Sequence, residues 1–297
     1  AEDTPKGLAA ERFRALVQER SGGRIAVAVY PEGRLYGDHD EMQALQLGAV
    51  EMLASSLSKF GRIGFPEFEL FDLPYLFPDL ANVRRITQGA LGQRMLDRLA
   101  RQRLVGLGFM DNGFKHMSAN RPLLEPAHFV GLRMRIQASR VIAAQMRALG
   151  ARPVTLAFSE TRRALAAGVV DGTENPISNF WTQSMHEVQT DLSLTRHAYL
   201  GYAFVANQRF WESMSVPDRT LVSEALREAL HFGNQIADTQ NDKALSALRE
   251  AGGTRIHVPT SAQMALMRKA VEPVHVGLAR RIGAAWLDDA RKAIDGG

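Results

Sequence analysis

Apolar positions along the chain alternate between two spacings, one typical of helices and the other of short strands. Some segments place apolar residues three or four positions apart, which predicts amphipathic helices. Others are short β-rich runs closed by glycine or proline, which predict strands. Helices are predicted at residues 9–17, 83–96, 141–149 and 159–168. Strands are predicted at residues 25–30, 104–110, 132–137 and 153–157.

Several connecting segments carry local signals of their own. Segment 70–77 reads Leu-Phe-Asp-Leu-Pro-Tyr-Leu-Phe, which predicts a loop packed by its aromatic side chains. Asp171-Gly172 predicts a turn. Asp38 lies three residues before Glu41, and this spacing predicts a capped helix start.

The last third of the chain predicts one long helix. Segment 215–218 reads Ser-Val-Pro-Asp, a strong start with proline in the first turn. Apart from Gly233, no helix breaker follows until Gly252. About 35 residues at 1.5 Å each extend about 50 Å, which is longer than a single lobe. We therefore expect this helix to cross both halves of a two-part molecule.

Alternation of helices and strands predicts an α/β fold with mixed sheets, and 297 residues suit one large domain or two medium ones. The chain has no cysteine, which excludes disulfides, zinc–thiolate sites and a cysteine nucleophile. No apolar run approaches the roughly 18 residues of a membrane span. Formal net charge is +4, and the arginines are interleaved with acidic residues rather than forming a nucleic-acid-binding stripe. A weakly positive field favours anionic small molecules as ligands.

Catalytic motifs are missing from the sequence. It contains no G-x-S-x-G, no H-E-x-x-H and no phosphate-binding loop. Gly106 and Gly108 follow a predicted strand but lack the third glycine of a dinucleotide fingerprint. Asp38, His39 and Asp40 stand at a helix start, where capping is favoured over metal binding. We predict a protein that is not an enzyme and that has no cofactor and no metal; an α/β enzyme with an unrecognised acid/base pair is the alternative.

Two segments carry side chains suited to a carboxylate. Arg133 and Arg135 fall on one face of a predicted strand, and an arginine fork donates two parallel hydrogen bonds to a carboxylate. Spacing alone favours an exposed arginine pair on an edge strand over a binding site. Asn175 precedes Pro176, which favours extended backbone and an amide that projects from a loop. A plain turn with a structural asparagine explains that segment equally well.

Six strings in a fixed order resemble the extracytoplasmic solute-binding subunits of TRAP (tripartite ATP-independent periplasmic) transporters. Further strings at residues 56–61, 111–115 and 134–137 are similar to the C4-dicarboxylate-binding, DctP-type branch. The six strings are Thr4-Pro5-Lys6-Gly7, Ser21-Gly22-Gly23-Arg24-Ile25, Leu45-Gln46-Leu47-Gly48-Ala49, Phe71-Asp72-Leu73-Pro74-Tyr75, Gly131-Leu132-Arg133-Met134-Arg135 and Asp171-Gly172-Thr173-Glu174-Asn175-Pro176.

The resemblance implies a two-lobe, periplasmic-binding-protein-like α/β fold with mixed sheets, a central cleft and a long helix spanning both lobes. Lobe I is expected to comprise residues 1–113 and about 203–235, and lobe II residues 114–202 and about 236–297. Relatives usually have a short strand before the Thr-Pro-Lys-Gly string, whereas only three residues precede Thr4 in this sequence.

The resemblance also implies a ligand site. Arg135 matches the arginine that pairs with a ligand carboxylate, Asn175 the asparagine beside it, and Phe158 an aromatic packed on the ligand. Lys115, where many relatives have arginine, is expected to take a second carboxylate. Because a dicarboxylate has two negative ends, a site for it needs two cations. Further lining residues are expected at Ser56, Lys59, Tyr75 and His197.

The implied function is capture of a C4-dicarboxylate (succinate, malate or fumarate) for ion-gradient-driven uptake through TRAP membrane permease subunits. The expected protein is a periplasmic monomer whose signal peptide has been removed, and it does not bind nucleic acid. One alternative is a relative that binds another organic acid, such as a 2-oxo, aromatic or sugar acid. A second alternative is a sensory solute-binding protein that docks to a receptor.

Overall fold

An open mixed sheet of seven strands organises the computed structural model, which describes residues 2–296. The strand order is β1-β6-β2-β5-β3-β4, and β7 pairs with β6. The strands are β1 (Met52–Ser56), β2 (Leu104–Ala119), β3 (Arg133–Ile136), β4 (Arg152–Thr155), β5 (Gly172–Asn175), β6 (Asp191–Asn207) and β7 (Arg255–His257).

Helices surround this sheet. The α-helices are α1 (Pro5–Arg20), α2 (Glu41–Leu47), α3 (Leu80–Thr87), α4 (Ala90–Arg98), α5 (Arg140–Ala148), α6 (Thr161–Ala166), α7 (Ile177–Thr182), α8 (Gln208–Ser213), α9 (Val216–Ala251), α10 (Ser261–Ile282) and α11 (Ala284–Asp295). Short 3-10 helices are Leu57–Ile63, Pro66–Asp72, Leu99–Gln102, Pro126–Phe129, Phe158–Glu160 and Met185–Glu187. No helix within residues 2–296 is long and apolar enough to cross a membrane.

Two long antiparallel strands, β2 and β6, tie the sheet together. One end of β6 pairs with β1, and its other end pairs in parallel with β7. The far end of β2 pairs with β5, which lies parallel to β3. Strand β6 therefore pairs with a short strand at each end, whereas β2 pairs with β6 along its length and with a short strand only at its far end. Register shifts interrupt the β2–β6 pairing at three places along its length.

The long helix expected from the sequence is confirmed as α9, with 36 residues. Ser215 caps it by accepting from the Asp218 amide, and Gly252 ends it in the left-handed conformation. At 1.5 Å per residue the helix is about 54 Å long. It packs against α1 and β2 and, farther along, against α7. Its Ala244 and Leu248 join a core cluster with Leu192 of β6 and Ile256 of β7.

The core is built from aromatic and aliphatic side chains on both sides of the sheet. The predicted aromatic segment at residues 70–77 packs as expected, although its first part belongs to the 3-10 helix Pro66–Asp72. The rings of Phe71 and Phe77 stack with centroids 5.8 Å apart, and both contact Tyr199. Helix α11 packs on α3, and α10 contacts both α5 and Pro66–Asp72. The lobe boundaries given above stay a prediction.

Three predicted elements differ in the structure. Residues 26–30 form no regular secondary structure and pair with no strand; alternate side chains are still half-buried, as the apolar pattern requires. The helix predicted at 83–96 is two helices, α3 and α4, separated at Gly89. Segment 171–176 is not a turn, because Gly172–Asn175 forms β5 between β2 and β3.

Candidate functional site

Arg135 lies on β3 between β4 and β5 and is only 2% exposed. Its Nε and Nη2 donate to the carbonyl oxygen of Leu156 at 3.0 and 2.8 Å. Among residues 2–296, no carboxylate oxygen lies within 4.0 Å of its guanidinium. Burial lowers the pKa of Arg135, opposed by the charges of Glu174 and Asp38, but an arginine remains protonated. The site thus holds a buried cation without a carboxylate partner.

Arg133, the other arginine of the strand, has a different environment. It is exposed, and its Nη2 and Nε donate to Asp171 at 2.7 and 3.1 Å. The prediction of an exposed arginine pair on an edge strand is therefore wrong, because Arg135 is buried and β3 lies between β4 and β5; only Arg133 is exposed. Burial and ion pairing with an acidic side chain thus distinguish two arginines that the sequence pattern treats as equivalent.

Phe158 covers Arg135. The centre of its ring lies 5.7 Å from the guanidinium carbon, within the range of a cation–π contact. Its backbone amide donates to Asp38 Oδ2 at 2.8 Å. The 3-10 helix Phe158–Glu160 thus brings the aromatic ring and an acidic side chain of a distant segment to the same place. The helix predicted at residues 159–168 is thus observed as this 3-10 helix followed by α6 (Thr161–Ala166).

Lys59 is held between two carboxylates. Its Nζ lies 2.6 Å from both Asp38 Oδ1 and Glu41 Oε1. Burial opposes the change, but Glu41 and Asp38 together raise the pKa of Lys59. The capping role predicted for Asp38 is wrong, since α2 begins after Asp40 and the Asp38 carboxylate binds Lys59 and Phe158 instead. The positive charge of Lys59 is matched within the protein.

Lys115 has a similar environment deeper in the molecule. It is 1% exposed, and its Nζ lies 2.8 Å from Glu174 Oε2 and 3.9 Å from Asp72 Oδ1. The nearer contact is an ion pair without the alignment of a good hydrogen bond, which leaves N–H donors on Nζ unused. Burial raises the pKa of Asp72 to about 6, despite Lys115 and two serine donors that oppose the rise.

His197 lies behind this pair on β6. Its Nε2 is 3.2 Å from Glu174 Oε2, and its Nδ1 is 2.8 Å from Thr195 Oγ1. Burial lowers the pKa of His197, with Glu174 opposing it. Burial would raise the pKa of Glu174, but Lys115 and His197 outweigh it, so that carboxyl titrates below its ordinary range. Glu174 is therefore an anion that orients both neighbours.

A chain of polar hydrogen bonds joins the end of β1 to the end of β3. Ser56 Oγ donates to Gln137 Oε1 at 2.9 Å, and Gln137 Nε2 donates to Ser58 Oγ at 2.8 Å. Asp72 accepts from Ser58 at 2.6 Å and from Ser139 at 2.7 Å. These bonds connect two parts of the chain that are far apart in sequence.

Asn175 and Tyr75 complete the predicted set. Asn175 ends β5 and donates from Nδ2 to Thr173 Oγ1 at 3.2 Å, so the predicted projection from a loop is wrong. Tyr75 has a φ of 58° and donates its amide to His197 O at 2.8 Å. Its hydroxyl has no hydrogen-bond partner within residues 2–296, and burial raises its pKa to about 12.

The structure groups the predicted residues by their shared partners. Asp38 joins Lys59 to Phe158, which covers Arg135, and Glu174 joins Lys115 to His197. Ser56 is linked through Gln137 and Ser58 to Asp72, whereas Asn175 contacts Thr173 and Tyr75 is tied to His197 through its backbone. Sequence reasoning missed the carboxylates Asp38, Asp72 and Glu174 as partners, and it missed Gln137. A signal for Gln137 was present, because alternation along β3 places it on the same side as Arg135. Within residues 2–296 no group of three or more histidine or acidic side chains is arranged to hold a metal ion.

Comparison with known proteins identifies the class of protein to which this chain belongs. A profile of the DctP family, described as bacterial extracellular solute-binding protein, family 7, matches residues 1–281. The chain is 49% identical to the C4-dicarboxylate-binding periplasmic protein DctP of Rhodobacter capsulatus over 293 residues, covering 99% of this chain and 88% of that protein. The chain therefore belongs to the DctP family of bacterial extracellular solute-binding proteins, and the resemblance seen in its strings is confirmed.

Solved structures show the same architecture. A TRAP periplasmic solute-binding protein from Shewanella oneidensis with bound succinate has a TM-score of 0.97 and 36% identity, covering 99% of this chain and 96% of that chain. One from Pseudomonas aeruginosa with bound L-malate has a TM-score of 0.90 and 36% identity, covering 93% and 96%. The predicted two-lobe α/β fold is confirmed.

Proposed function

We propose that this chain is a non-enzymatic, periplasmic TRAP solute-binding subunit that captures a C4-dicarboxylate and delivers it to membrane permease subunits. The observation that carries the proposal is Arg135, a buried cation with a carbonyl partner, a covering aromatic ring and no carboxylate within 4.0 Å among residues 2–296. Such a group is costly to bury, and a ligand carboxylate supplies the missing charge and the parallel hydrogen bonds.

The relatives support the chemical class of the ligand. The Rhodobacter capsulatus protein is C4-dicarboxylate-binding, and the two solved structures hold succinate and L-malate. We infer that the ligand of this chain is succinate, malate or a close analogue. The ligand's first carboxylate binds Arg135, with Asn175 beside it and Phe158 excluding water, and exclusion of water strengthens the ionic contact.

The remaining predicted residues are proposed to line the site. Ser56, Lys59, Tyr75 and His197 enclose it, and Lys115 offers its unused N–H donors to the ligand. Because Glu174 and Asp72 already flank Lys115, this lysine adds little net positive charge. A dicarboxylate brings two negative charges, so its second acid group requires a further cation.

Isothermal titration calorimetry with purified protein tests the function. The acids to compare are succinate, L-malate, fumarate, a 2-oxo acid and a sugar acid. We expect the protein to bind at least one C4-dicarboxylate saturably and to bind the other acids more weakly. Preference for a 2-oxo, aromatic or sugar acid contradicts the C4 assignment, and chemical turnover of a bound acid contradicts the non-enzymatic assignment.

A further inference from the structure

Lys6 lies in the first turn of α1, outside the set of residues predicted to bind ligand. Its side chain is half-buried, and its Nζ donates to Ala54 O at 3.4 Å. The same atom lies 4.3 Å from the centre of the Tyr202 ring. Tyr202 stands directly opposite Ser56 in the β1–β6 pair, so the two side chains share one side of the sheet. Lys6 therefore reaches the side of the sheet that carries Ser56.

The charge of Lys6 is not matched by an acid. Of the four cations in this region, Lys59 and Lys115 each have a carboxylate oxygen within 2.8 Å. Arg135 and Lys6 have only carbonyl and aromatic partners, and within residues 2–296 no carboxylate oxygen lies within 4.0 Å of either. A partly buried ammonium without an anion is destabilised by lost hydration.

Direct contacts join the surroundings of these two cations: Tyr202, beside Lys6, stands opposite Ser56, and Ser56 Oγ donates to Gln137 Oε1, two residues after Arg135. The charge of Glu174 acts on Arg135, and Glu174 also pairs with Lys115. Burial lowers the pKa of Lys6, and the charges that act on it are Glu41, Lys59 and Asp38. Asp38 is one of these charges, and its carboxylate accepts from the amide of Phe158, whose ring covers Arg135.

We propose that Lys6 binds the second carboxylate of the ligand, so that Lys6 and Arg135 together select a dicarboxylate. This inference rests on the function proposed above and assigns the further cation that it requires. A dicarboxylate places one acid group on each cation whose charge the protein leaves unmatched. An acid with one carboxylate pairs with Arg135 only, and Lys6 then keeps the Tyr202 ring and the Ala54 carbonyl oxygen as its sole contacts.

The test compares succinate with succinamate, its monoamide of nearly identical shape. Calorimetry is run on the wild-type protein and on Lys6→Gln, with Lys243→Gln, an exposed lysine on α9, as the matched control. Loss of one charge-assisted contact is expected to raise the Kd for succinate about 10- to 100-fold. The Kd for succinamate is expected to change less than about threefold, and Lys243→Gln is expected to leave both values unchanged.

A second variant, Lys6→Met, removes the charge but keeps an apolar stem over the Tyr202 ring, and it is expected to show the same selective loss. Thermal unfolding without ligand verifies that each variant is folded. An unchanged Kd for succinate in Lys6→Met and Lys6→Gln, or equal losses for both ligands, overturns the role of Lys6 while leaving the proposed function intact. Wild-type protein that binds no C4-dicarboxylate overturns both proposals.

Discussion

Replacement of Arg135 by alanine is the most direct test of the binding site. The side chain is 2% exposed, and the carbonyl oxygen of Leu156 occupies two of its five N–H donors in one shared contact. The remaining donors are free to form the parallel hydrogen bonds that a carboxylate accepts. Truncating one partner of a buried, hydrogen-bonded charge pair costs about 2–5 kcal/mol.

At about 1.4 kcal/mol per factor of ten, this loss corresponds to a Kd raised about 30-fold at the low end and about 4,000-fold at the high end. The Arg135→Lys variant retains a positive charge but lacks the planar fork, so it is expected to recover part of the affinity. Isothermal titration calorimetry with succinate measures both variants.

Arg133→Ala supplies the matched control. Arg133 stands two residues earlier on the same strand, but it is exposed and paired with Asp171. Exposed ion pairs contribute little, so the Kd of this variant is expected to stay close to that of the wild type. Near wild-type affinity in Arg135→Ala, or an equal loss in both variants, refutes the assignment of Arg135 as the ligand's anchor.

Three further predictions concern stability. Burial raises the pKa of Asp72 from 3.8 to about 6. The protonated carboxyl therefore contributes folding stability on the order of 3 kcal/mol, which is complete below pH about 4 and is lost as the pH rises through 6. Asp72→Asn is therefore expected to gain stability relative to the wild type over that range in urea unfolding, and a constant difference contradicts this. Gly172→Ala would place a Cβ atom 2.4 Å from Ser118 O, so we expect a loss of about 1–3 kcal/mol; Gly253→Ala, with no atom within 4 Å, is the control and should lose less. Ser215→Ala removes the cap of α9, and chemical denaturation is expected to show a loss of about 1 kcal/mol, whereas an unchanged midpoint would mean that the cap contributes nothing.

Elements with strong local signals were predictable from the sequence. Helix α9 begins at the Ser-Val-Pro-Asp start and ends at Gly252, because capping depends on residues adjacent in the chain. Strands depend on pairing partners that are distant in the sequence, and this explains why one strand was predicted wrongly and another was missed. Residues 26–30 have the alternating pattern but no neighbouring strand, whereas Gly172–Asn175 lacks an obvious pattern yet is paired on both sides.

The site was only partly predictable, for a related reason. Arg135 could be singled out from Arg133 by resemblance to a family, since their spacing on the strand made them equivalent. The environment of Lys115 depends on Asp72 and Glu174, which approach it from segments far away in sequence. Charge matching of this kind arises only when the chain is folded, so a lysine counted as a free cation in the sequence is found between two acids.

The long strands β2 and β6 have a consequence for the modularity of the protein. Each strand is a single continuous piece of backbone that runs from one end of the sheet to the other. Strand β6 pairs with β1 at one end and with β7 at the other, and β2 pairs with β6 along its length and with β5 at its far end. Neither half is therefore a contiguous stretch of sequence that could be cut out by a protease, expressed separately or exchanged by gene fusion.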